Sequence, residues 1–73
     1  MRNPVVEVAD IEIQNHGTLL LVTPLNTDAS KWVTANVVVE GWQWFGGGFV
    51  VEPRYVESIV HHARGDGLVV RCS

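Results

Sequence analysis

Apolar and polar residues change period several times along this chain, and each change falls at a turn-forming residue. From Val5 to Gln14 they follow the two-residue period of a half-buried strand. Val6 and Val8 occupy even positions while Ile11 and Ile13 occupy odd ones, so one continuous strand cannot send both pairs to the same face. A bulge or break near Ala9-Asp10 reconciles them. Asn15-His16-Gly17 supplies residues that accept positive φ in a tight hairpin, and Leu19 to Val22 follows as the unbroken apolar run of an interior strand. Pro24 ends that strand. Asn26 or Thr27 then caps a helix in which Ala29, Trp32, Val33 and Asn36 fall at i, i+3, i+4 and i+7 and face inward, with Lys31 and Thr34 turned to water.

Strand character resumes over Val37 to Glu40, and Gly41 allows a kink before Trp42-Gln43-Trp44-Phe45. On a strand, Trp42 and Trp44 share one face and Gln43 and Phe45 the other. Gly46-Gly47-Gly48 is a permissive turn, so Phe49-Val50-Val51-Glu52 returns antiparallel as the second arm of a hairpin. Pro53 suits the first turn of a second helix, whose buried stripe is Val56, Ile59, Val60 and Ala63 and whose end is Arg64-Gly65. His61, His62 and Arg64 sit where the helix dipole favours positive charge. Asp66-Gly67 turns the chain into a last strand from Leu68 to Cys72. The predicted order is β-β-α-β-β-α-β. Its economical packing is an α+β two-layer sandwich, a mostly antiparallel sheet with two helices on one face.

Composition agrees with a single small folded domain spanning residues 1–73. Fourteen of the 73 residues are valine, which pushes the chain toward strand, and a chain this short has room for one core. Eight acidic residues against five Lys and Arg leave a net charge of −3. That removes the broad basic field of a phosphate-backbone binder and makes nucleic acid an unfavoured partner. The acidic cluster from Glu7 to Glu12 matches a solvated strand face. The single cysteine, Cys72, cannot close a bridge within the chain, which suits a reducing compartment. The first residues lack the apolar core of a signal peptide, and no apolar run reaches the length of a membrane span. The expected location is the cytoplasm, with no membrane partner.

Several segments carry a family resemblance: Asn15-His16-Gly17, Pro24 with Ala29 and Trp32, Gln43-Trp44-Phe45-Gly46-Gly47, Val50-Val51-Glu52-Pro53-Arg54-Tyr55 and Asp66-Gly67-Leu68. Together they resemble a family of short, uncharacterised bacterial proteins often associated with phages and other mobile elements. The resemblance covers about residues 11–70, and its most specific tract runs from Gln43 to Tyr55. Gly48 and the stretch before Ile11 depart from it, so residues 1–10 form an arm particular to this chain. It implies a bacterial or phage origin and a compact α+β fold, and it carries no catalytic or binding residues.

Chemistry is scarce. Zinc needs three or four converging ligands, and His61 and His62, as neighbours on a helix, diverge by about 100°. Ser58 and His62 share a helix face at i, i+4 without a third orienting group. Cys72 lacks a cationic neighbourhood beyond Arg71. The glycine triplet is followed by Phe49-Val50-Val51 rather than by the Lys-Ser/Thr of a phosphate loop. No catalytic, cofactor or metal site is assigned, and no enzyme activity is expected.

Rings, by contrast, are more numerous than one helix layer can hide, because Trp42, Trp44 and Phe45 cannot all point beneath it. The expected function is non-catalytic protein binding through Trp42, Trp44, Phe45, Phe49, Arg54 and Tyr55, residue types that concentrate interface energy. The expected partner is a host protein, such as a defence component inhibited by a phage or mobile-element factor. An exposed first or last strand adds a route to a homodimer. The alternative is single-stranded nucleic acid stacking on the aromatic hairpin.

Overall fold

The computed structural model describes residues 9–72, apart from the side chains of Trp42 and Phe45. Its elements are β1 (Ile11–His16), β2 (Leu19–Pro24), α1 (Thr27–Asn36), a 3-10 turn (Gly41–Gln43), β3 (Trp44–Phe45), β4 (Gly48–Val51), α2 (Pro53–Gly65) and β5 (Val70–Cys72). The fold is α+β, in the element order expected, with β3 reduced to two residues. The sheet runs β3-β4-β2-β1-β5. The pairs β1–β2, β2–β4 and β3–β4 are antiparallel, while β5 lies parallel to β1. The reason is the crossover: α2 carries the chain from β4 over the sheet and delivers β5 at the far edge.

Register assembles the core. Ile13 lies opposite Val22, Val22 opposite Phe49, and Ile11 opposite Val70, so these residues share one face of the sheet. Ala29 and Val33 of α1 and Ala63 of α2 close over them in one buried cluster. Phe49, Ile11, Val22 and Val33 are its largest fully buried side chains, each contributing roughly 1.5–3 kcal/mol by leaving water. On the opposite face Glu12, Gln14, Leu21, Thr23 and Val50 are half-buried, as in any antiparallel sheet covered on one side.

Local chemistry fixes both helices. Asn26 caps α1, its Oδ1 accepting the Ala29 amide at 2.8 Å, and Pro53 opens α2 behind Glu52. The expected inward stripe of α1 holds for Ala29 and Val33, whereas Asn36 is exposed and returns its side-chain amide to the Trp32 carbonyl at 2.9 Å. Trp32 is half-buried and donates its indole N–H to Asp66 Oδ2 at 2.7 Å, tying α1 to the turn after α2.

Glycine matters most between β3 and β4. Gly46, at φ +63°, takes the first position of the two-residue loop Gly46-Gly47, the backbone a II′ hairpin turn demands. Gly48 belongs to β4 rather than to the turn. A Cβ there would stand 2.6 Å from Thr23 Oγ1 and 2.7 Å from the Val22 carbonyl oxygen, so the two strands meet as closely as they do only because it has none.

Of the acidic cluster expected to form a solvated face, Glu7 lies outside the described residues and Asp10, only half-buried, also serves as a joint. Its carboxylate accepts the Val69 amide at 2.8 Å and the Asn26 side-chain amide at 2.7 Å. Its carbonyl accepts the Leu25 amide, and its own N–H shares the Val69 carbonyl with that of Ile11. One residue thus joins the start of β1, the β2–α1 corner and the approach to β5. The Val69 amide, and after it Asn26, hold the Asp10 carboxyl below the usual aspartate range. The bulge or break expected near Ala9-Asp10 falls just before β1 begins at Ile11, and Val5, Val6 and Val8, the residues it would separate from β1, lie outside the described residues.

Candidate functional site

Two expectations for residues 37–45 give way to a different local structure. Val37 to Glu40 is extended but joins no strand, and residues 41–43 turn as a 3-10 helix. Gln43 makes this turn. Its Oε1 accepts the Glu40 amide at 2.8 Å, its backbone N–H returns to the Glu40 carbonyl at 3.0 Å, and its Nε2 donates to the Val50 carbonyl at 3.0 Å. The Gln43 side chain therefore binds the edge of β4 at Val50, one residue beyond the Trp44–Phe49 pair with which β3 begins. Because Trp42 lies in the 3-10 turn and Trp44 in a strand, the alternation that would put both on one face does not span them.

The expected contact residues separate into three kinds. Phe49 is fully buried, so it belongs to the core and is withdrawn as a partner contact. Trp44 stands opposite it across the hairpin and packs edge-on against its ring, centroids 5.5 Å apart, yet remains 45% exposed. Arg54 and Tyr55 begin α2, both exposed, with the Arg54 guanidinium 4.8 Å from the centre of the Tyr55 ring. Arg54 also faces Glu52 at 3.5 Å, an exposed pair of small energetic weight. Trp42 and Phe45 fall among the side chains that the structure does not describe.

A groove adjoins this stack. It encloses about 450 Å³ between the N-terminal half of α2 and the extended segment after α1, with Leu19, Val37, Val38, Val51, Tyr55 and Ile59 as its apolar walls. Leu19, Val38 and Tyr55 are three of the five large hydrophobic residues that the described chain leaves exposed, and all three border this one feature. Periodicity could not find it, because its walls come from the start of β2, the end of β4, α2 and an unpaired segment. Strand propensity in Val37-Val38-Val39 was the available signal.

Reactive side chains do not converge. Among the described residues no three of His, Cys, Asp and Glu stand together in a way that could hold a metal. His16, His61, His62 and Cys72 are exposed. A second depression, about 630 Å³, passes His61 and Ser58, but all six lining residues belong to α2, so among the described residues it is a furrow on the outside of one helix with no second element facing it. No helix among the described residues is long and apolar enough to cross a membrane. No protein-family model, curated protein or solved structure matches the chain.

Proposed function

We propose that the protein acts by non-catalytic binding of another protein, with Tyr55, Arg54 and Trp44 as its contact residues. The observation that carries this is the stacked Arg54–Tyr55 pair standing exposed beside an apolar groove. Arginine held over an aromatic ring is already ordered before association, so less rotamer entropy is lost on binding, and Tyr, Trp and Arg are the side chains whose burial dominates interface energies. The resemblance of Gln43–Tyr55 to proteins of mobile elements directs the search to bacterial host proteins, defence components among them, with inhibition as the consequence of binding. Cytoplasmic action goes with that partner.

The test is capture of a partner from bacterial lysate by the tagged wild-type chain and by Tyr55→Ala and Trp44→Ala. Loss of a hot-spot side chain costs at least about 2 kcal/mol, roughly thirtyfold in affinity, and both variants should keep the wild-type circular dichroism spectrum. Variants that bind as well as the wild type would refute the assignment. Oligonucleotides that quench tryptophan fluorescence in a salt-sensitive way would instead favour single-stranded nucleic acid.

A further inference from the structure

The segment walling the groove has the form of a strand without a sheet. Val38 and Glu40 are exposed while Val37 and Val39 are half-buried against the core, which is the alternation of a strand lying on an apolar layer. Val37 and Glu40 both have extended backbones. Among the described residues, the backbone N–H and C=O groups of Val38 and Val39 meet no hydrogen-bonding partner, and Val38 is 88% exposed. An open, valine-rich edge of this kind invites strand addition.

We propose that this segment pairs antiparallel with the same segment of a second copy of the chain, about a two-fold axis at Val38. Register selects the occupant. With the axis at Val38, the free N–H and C=O of one Val38 meet those of the other, and Val37 falls opposite Val39. Apolar residues meet apolar ones. An axis at Val39 would set Val38 against Glu40, and one at Val37 would require an N–H already donated to the Val33 carbonyl at 2.8 Å. The same pairing brings the exposed Leu19, Val38 and Tyr55 of each copy toward one seam.

The seam is short, so association depends on concentration. It goes beyond the reading of a host-protein partner: a two-fold dimer simply carries Trp44 and the Arg54–Tyr55 stack twice.

Light scattering from about 10 μM to about 1 mM, the range in which weak association registers, supplies the test. The wild-type mass should rise from 8.1 kDa toward twice that value. Val38→Glu and Val38→Lys place like charges face to face across the axis, and each alone should stay at 8.1 kDa with an unchanged circular dichroism spectrum. An equimolar mixture of the two should regain the doubled mass. In the wild type, exchange of the Val38 amide with solvent should slow as concentration rises while that of Val39 should not. A wild-type mass fixed at 8.1 kDa throughout, single variants that still dimerise, or a mixture that stays monomeric would each overturn the proposal.

Discussion

The centre of the sheet and its β4 edge are built from the same kinds of residue, and the difference lies in what covers them. At the centre, β2 has a strand on each side and two helices above it, so Val22 is fully buried. At the β4 edge, β3 stops after two residues. Gln43 substitutes for the missing ladder with a side-chain amide, and Val38, as apolar as Val22, is left 88% exposed. Apolar character therefore does not by itself decide burial here. What covers the position does, and the edge where the β3 ladder runs out is also where the Arg–Tyr stack and the groove are found.

The largest blow to this contrast comes from the closed side. Phe49→Ala removes the largest fully buried ring and should cost about 3–5 kcal/mol, much of the stability of so small a domain. Urea unfolding should show a collapsed midpoint, and retention of most of the wild-type stability would mean that Phe49 is not central to the core. Gly48→Ala should cost about 1–3 kcal/mol by forcing a Cβ against Thr23 and the Val22 carbonyl. In the same unfolding series Gly47→Ala, where a Cβ meets nothing within 4 Å, should cost far less; equal losses would remove the argument from close approach.

A gentler probe acts through pH. The folded state holds the Asp10 carboxyl below its ordinary value of 3.8, so its contribution is fully present above that pH and fades as pH falls through the folded-state value. Stability of the wild type should therefore drop more steeply below pH 3.8 than that of Asp10→Asn, which has no proton to gain. Identical pH profiles would show that the bonds to Val69 and Asn26 do not favour the charged form.

The legible parts of the fold were the local ones. Asn26 before Thr27, Pro53 at the head of α2, and Asp66-Gly67 after it each state their role within a few residues. Asp10 does not: its partners at Asn26 and Val69 are 16 and 59 positions away, and in one sequence a carboxylate that knits three segments looks like one on a wet surface. The parallel seat of β5 beside β1 is equally a product of the crossover. At the candidate site, the excess of aromatic residues over available cover indicated that some ring surface would be left over without saying which rings, and Trp44 and Tyr55 are exposed. The groove was not indicated, because it depends on Gln43 turning the chain after Glu40, which a strand pattern through Trp42 and Trp44 conceals.

The contrast between the covered centre and the open edge is tested most directly by residue-resolved amide hydrogen exchange in dilute protein, where only the single chain is present. The amides of β2 should exchange slowly, through opening that approaches global unfolding, while Val38 and Val39 exchange at close to the rates of an unstructured chain. Strong protection of Val38 and Val39 under those conditions would mean that their backbone is already paired within the chain, and would contradict an edge left open for a partner.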